Sequence, residues 1–110
     1  MKKEDIELFT QIKSFIDSNL EKDLPIKNLC SLFVINRNKL QNGFKKIYRQ
    51  TIHAYILQQR MEQAAIKLMT TTHPVKVIAL DTGYTASSFH SKFKKQFGST
   101  PEQFRREKQF

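Results

Sequence analysis

Apolar residues fall at helical spacing in every segment of this chain long enough to show a period. Ile6, Leu8, Phe9, Ile12, Phe15, Ile16 and Leu20 follow the i, i+3, i+4 rule and predict a helix over about 5–20. Asp23-Leu24-Pro25 interrupts it, and Pro25 suits the first turn of the next helix, where its missing N–H is not needed. That short helix, about 26–33, offers Ile26, Leu29, Cys30 and Phe33 for burial. Asn36 is a good N-cap for a third helix over 37–48, with Leu40, Phe44, Ile47 and Tyr48 inward. A long helix follows from about Ile52 to Thr71, with Tyr55, Ile56, Ala64, Ala65 and Leu68 spaced for burial, and stops at Thr70-Thr71-Thr72-His73-Pro74. A short helix over 75–82, a turn at Gly83-Tyr84, a helix over 86–97 ended by Gly98, and a last helix opened by Pro101 and burying Phe104 complete the chain.

The pattern repeats itself. Pro25, Lys27, Phe44, Lys45, Lys46 and Thr51 recur 49 residues later as Pro74, Lys76, Phe93, Lys94, Lys95 and Thr100. Conservative pairs hold the same register: Ile26/Val75, Leu29/Ile78, Cys30/Ala79, Leu40/Phe89 and Tyr48/Phe97. A fixed period of this length marks a duplicated supersecondary unit, and two copies make a paired module rather than a solenoid. The prediction is an all-α fold of about seven helices: two helix-turn-helix units joined by a long linker helix. The expected divisions are 1–51 for the N-terminal helix and first unit, 52–72 for the linker helix and 73–110 for the second unit.

Composition sharpens this. Three Gly and three Pro in 110 residues favour helices, and nine Phe supply the core. No run approaches the roughly 20 apolar residues of a membrane span, and Met1-Lys2-Lys3 leads into Glu4-Asp5 rather than an apolar leader. The single Cys cannot pair within the chain, which fits a reducing cytoplasm. Net charge is +9, with a pI near 9.9, and such an excess favours polyanions. From Lys92 onward, Lys92, Lys94, Lys95, Arg105, Arg106 and Lys108 meet only Glu102 and Glu107, whereas six acids keep the first twenty-odd residues near neutrality. Charge is concentrated in the repeats.

A helix-turn-helix lays its second helix in the major groove while the first crosses the phosphate backbone. The reading helices here are 37–48 and 86–97. With Leu40/Phe44 and Phe89/Phe93 facing inward, the outward positions of the first are Arg37, Asn38, Gln41, Asn42 and Lys45. Asn and Gln pair with adenine edges, and Arg and Lys reach guanine or phosphate. The same offsets in the second helix hold Ala86, Ser87, His90, Ser91 and Lys94. Arg37, Asn38, Gln41, Asn42, Ser87, His90 and Ser91 are the candidate base-contacting residues; Lys45, Lys46, Lys94 and Lys95 are the candidate phosphate-contacting ones. The shorter set on the second helix predicts that the first unit supplies most discrimination. A linker of twenty residues spans about 30 Å, against the ~34–36 Å recurrence of a groove face. One chain is therefore expected to enter two adjacent major grooves of double-stranded DNA, at a site that need not be palindromic.

Ile78-Ala79-x-x-x-Gly83-Tyr84, Ser87-x-Phe89-x-x-x-Phe93-Lys94-Lys95-x-x-Gly98-x-Thr100-Pro101 and Phe104-Arg105 resemble the signature of AraC-type (AraC/XylS) transcription regulators. Leu29-Cys30, Leu40, Phe44-Lys45-Lys46, Arg60 and Ala64 match the first unit and linker helix of that family, and the resemblance covers about residues 6–107. It implies two DNA-reading units and, usually, activation of transcription through bacterial RNA polymerase. Many members carry an N-terminal sensing domain; a stand-alone chain is expected to bind as a monomer, and a fragment to dimerise through that missing domain. Two departures bear on structure. Arg49 stands where a Gly commonly ends the first reading helix, and a left-handed residue there costs on the order of 1 kcal/mol, so that helix is expected to end differently. Ser91 replaces a basic residue common two positions after the Phe89 equivalent.

Two other classes of function fit the sequence less well. His53, His73 and His90 lie in separate segments without metal-ligand spacing, the lone Cys has no paired base, and no Gly-rich phosphate loop exists, so no catalytic, cofactor or metal site is predicted. The alternative is a non-specific nucleic-acid-binding or nucleoid-type structural protein. Against an RNA platform, Phe15, Phe44, Phe89 and Phe93 fall on buried stripes rather than a stacking surface.

Overall fold

Local stop signals divide the chain into seven helices among the described residues, 2–109, of a computed structural model. They are α1 (Lys3–Ser18), α2 (Ile26–Phe33), α3 (Arg37–Tyr48), α4 (Ile52–Thr70), α5 (Val75–Asp81), α6 (Ala86–Phe97) and α7 (Pro101–Lys108). The architecture is all-α, as the periodicity predicts. Two compact units form, one ending at Leu57 and the other starting at Gln58, so α4 begins in the first and finishes in the second.

In the first unit, Phe9, Ile12 and Ile16 of α1 form one core with Leu29 of α2, Leu40 and Phe44 of α3, and Ile52, Tyr55 and Ile56 at the start of α4. Ile6, expected on the α1 stripe, is exposed instead; it sits ahead of Phe9, the residue that meets α3. The meeting point is Gly43. A Cβ there would lie 2.2 Å from Phe9 Cζ, so α3 presents bare backbone to the ring. Glycine inside a helix costs about 1 kcal/mol against alanine, and here it admits a phenylalanine.

In the second unit, α4 stands in the repeat register of α1. Ile12 and Ile16 of α1 correspond to Met61 and Ala65 of α4, all of them buried. Phe9 corresponds to Gln58, whose carbonyl oxygen accepts a bond of 3.3 Å from Gln96 Nε2. With no ring at that position, the Gly43 counterpart can be Lys92, whose Nζ lies 5.3 Å from the Tyr84 ring centroid. Arg60 approaches the same ring, 5.6 Å from its centroid. Phe93 is sealed among Phe89, Phe97 and Phe104, with centroids 4.6–5.6 Å apart.

Caps recur with the repeat. Asn36 Oδ1 accepts from the Lys39 N–H at 2.8 Å, and Thr85 Oγ1 from the Ser88 N–H at 3.1 Å. Pro25 and Pro74 both lie at the N-cap, one position earlier than the first-turn placement expected of Pro25, and their carbonyls accept the first helical bonds. Helix α3 also ends as α6 does, contrary to expectation. Arg49 has φ 63° where Gly98 has φ 78°, and each donates its N–H to the matching Lys45 or Lys94 carbonyl. The hydrogen-bonded C-terminal turn outweighs the strain that made such an ending unlikely for arginine. The helix-turn-helix corner shows the same contrast: Val34 has φ 51° where Gly83 has φ 83°. A β-branched residue there is an outlier, and its side chain is 91% exposed, so no packing offsets it.

One polar cluster ties α1 to α3 and α4 within the first unit. Tyr48 Oη donates to the Phe9 carbonyl at 3.1 Å, Tyr55 Oη donates to Asp17, and Lys13 Nζ lies 5.9 and 5.4 Å from the two tyrosine ring centroids. Burial and then the Asp17 bond hold the Tyr55 phenol above its ordinary 10.0. The bond with Tyr55 holds the Lys13 ammonium above its ordinary 10.5.

Gly43→Ala should cost about 1–3 kcal/mol by overpacking against Phe9, whereas Arg49→Gly should add about 1 kcal/mol; urea unfolding of the two variants gives opposite midpoint shifts. Tyr55 and Lys13 both titrate higher folded than unfolded, so their contribution is full below about pH 10 and is lost as pH rises through the folded values. Thermal melts should therefore weaken as pH rises above about 10, and less so in Tyr55→Phe.

Candidate nucleic-acid interface

Burial of one stripe decides what the opposite stripe can do. Leu40 and Phe44 on α3, and Phe89 and Phe93 on α6, are fully buried one helical turn apart, which fixes the rotation of each helix within its unit. On the other side of α3, Arg37, Asn38, Gln41, Asn42, Lys45 and Lys46 are all exposed. On α6, Ser87, Ser91, Lys94 and Lys95 are exposed and His90 is half-buried. Each unit thus brings its predicted residues onto a single helix.

The α3 face has two concave flanks. One, of about 420 Å³, is lined by Asp5, Phe9, Asn36, Asn38, Lys39, Asn42, Gly43 and Lys46. The other, of about 300 Å³, is lined by Ile26, Gln41, Asn42, Lys45, Thr51, Ile52 and His53. Asn42 borders both. In the first flank Lys39 Nζ lies 3.1 Å from Asp5 Oδ1, and that bond holds the Asp5 carboxyl below the usual carboxylate range. Lys39 thereby neutralises the acid beside the reading face. In the second flank Thr51 Oγ1 accepts from the Ala54 N–H at 3.1 Å, capping α4 where His53 projects.

Lys45, Lys46, Lys94 and Lys95 occupy the last turns of α3 and α6, where positive charge also favours the helix dipole. Their exposure leaves the ammonium groups available to anions. Other basic residues are engaged within the second unit. Arg105 Nε donates to the Leu68 carbonyl at 3.2 Å and Nη2 to that of Thr71 at 3.3 Å, joined by Gln109 Nε2 at 2.7 Å, so this arginine caps α4. Lys67 pairs with Asp81 at 3.6 Å.

The sequence reading missed one contact on the α6 face. His90 Nε2 lies 2.7 Å from both carboxylate oxygens of Glu102 on α7, and Nδ1 lies 3.3 Å from the Ala86 carbonyl oxygen. Thr100 places Glu102 there through a capping box with Gln103. Among the described residues, no group of three or more His, Cys, Asp or Glu side chains is arranged to hold a metal ion, and no helix is long and apolar enough to cross a membrane.

Residues 29–107 match the model of a helix-turn-helix domain family. The regulatory protein SoxS of Escherichia coli K12 is 33% identical over 93 residues, covering 84% of this chain and 87% of SoxS. The C-terminal domain of AraT, a response regulator from Geobacillus stearothermophilus, superposes with a TM-score of 0.88 at 26% identity, over 94% of this chain and 87% of that one. The DNA-binding domain of AdpA, a global transcriptional factor solved with a target DNA, shares the fold with a TM-score of 0.84 at 19% identity and 90% coverage of each chain.

Proposed function

Because this chain belongs to the AraC-type family of helix-turn-helix transcription regulators, we propose that it reads double-stranded DNA by setting α3 and α6 into two adjacent major grooves. The family is one of DNA-binding regulators, not a class of enzymes. The observation that carries the reading is the pair of buried stripes, each leaving a polar and basic helix face exposed. The roles follow from chemistry. Arg37, Asn38, Gln41 and Asn42 meet base edges from the first unit, and Ser87, His90 and Ser91 from the second. Lys45, Lys46, Lys94 and Lys95 meet phosphates, with the two hollows flanking α3 giving the backbone room to pass. The 19 residues of α4 amount to about 28 Å of helix, on the scale of the ~34–36 Å groove repeat.

The first unit carries most of the discrimination in this reading, since its outward side chains are longer and richer in paired donors and acceptors. Binding as a monomer to an asymmetric site of about two turns follows from two unlike readers in one chain. Activation through bacterial RNA polymerase, in the cytoplasm, is the output proposed from kinship with regulators such as SoxS.

Lys45→Ala and Lys94→Ala should each weaken target and random DNA about equally and lower the salt slope of binding by roughly one unit. Asn38→Ala and Gln41→Ala should instead narrow the ratio of target to random binding, which for a specific reader is about 10³ or more. Footprinting with a motif selected from random duplexes checks the span. Protection of a single groove segment refutes the two-groove reading, and a target-to-random ratio near one refutes specific recognition in favour of a non-specific binder.

A further inference from the structure

The 49-residue register sets Gln41 against His90 and His53 against Glu102, so the same two places hold different chemistry in the two units. In the first unit, Gln41 and His53 line one hollow, and the Gln41 amide has no side-chain hydrogen bond among the described residues. In the second, the imidazole is fastened. Nε2 faces both Glu102 oxygens at 2.7 Å and Nδ1 faces the Ala86 carbonyl oxygen at 3.3 Å, so both ring nitrogens are turned toward oxygen atoms of their own unit. Both side chains remain open to solvent, at 42% and 51% exposure, so the pair lies at the surface where a base would approach.

We infer that Glu102 is a positioning residue that keeps the His90 nitrogens from hydrogen-bonding to bases, leaves only the carbon edge of the ring for the base contact proposed above, and so lowers the selectivity of the second unit. This rests on the DNA-reading proposed above. With both nitrogens turned toward its own unit, α6 offers the groove the short hydroxyls of Ser87 and Ser91 and the carbon edge of a ring. That set lacks the bidentate amide or guanidinium pairs that distinguish one base from another. Glu102 has a local reason to be where it is, since an acid in the first turn of α7 favours the helix dipole. A purely local role would move stability and leave base preference alone. A withholding role moves base preference at one position.

Selection of bound sequences from a random duplex pool, run with the full chain as wild type, Glu102→Ala, Glu102→Gln and His90→Ala/Glu102→Ala, separates the two. Glu102→Ala should gain a preference of about fivefold or more at one base pair. Guanine is gained if the freed Nε2 carries the proton, and adenine or cytosine if Nε2 offers its lone pair. Glu102→Gln keeps an acceptor for the ring and should retain the wild-type motif. The double variant should lack the gain. An Ala-variant motif identical to the wild type, or a gain that persists without His90, overturns the inference while leaving the DNA-reading intact. A wild-type chain that enriches no motif overturns the DNA-reading and this inference with it.

Discussion

The constraint on which this structure depends is the complete burial of one turn-spaced apolar pair on each reading helix. Leu40/Phe44 and Phe89/Phe93 leave no freedom for α3 or α6 to rotate, because turning either helix would expose a phenylalanine and bury an amide or an ammonium group. Burying a side chain of that size is worth roughly 1.5–3 kcal/mol, and burying an unpaired charge costs more. The polar face follows from the apolar one. In the first unit the setting is tightened further by Gly43, which lets the Phe9 ring rest on the α3 backbone.

Most of the fold was legible because its signals are local. The ranges of α2, α3 and α6 coincide with those read from spacing and caps, since Asn36, Pro25 and Gly98 act within a few residues of themselves. The misreadings arose where tertiary structure decides. Ile6 satisfies the period of α1 and still stays outside the core. Arg49 takes a left-handed conformation because α3 closes its last turn with a hydrogen bond that propensity alone does not weigh. The contacts of His90 with Glu102 and of Arg105 with the end of α4 join segments 12 and 34–37 residues apart, and no periodicity announces such pairs. The duplication held a clue, since position 102 opposes position 90 in the same register that sets His53 beside Gln41.

The repeat also explains why α4 is continuous. Its start corresponds to α7, and its residues 52–67 correspond to α1, so one helix closes the first unit and opens the second. Ile52, Tyr55 and Ile56 serve the first core, while Met61, Ala64, Ala65 and Leu68 are buried in the second unit. The long helix is thus two structural roles overlapped on one segment, and each buried apolar position along it is committed to one of them.

The left-handed residues divide the two copies in another way. Where the second unit has Gly83 and Gly98 at either end of α6, the first has Val34 and Arg49 at either end of α3. Each non-glycine residue held there costs about 1–2 kcal/mol, so the helix with the fuller complement of amides is the one anchored by strained hinges. That strain is a local cost within the first unit, and it is released whenever an end of α3 opens. The duplicated halves thereby differ in backbone strain as well as in chemistry: the copy richer in amides holds two left-handed residues that carry side chains, where its twin relies on glycine.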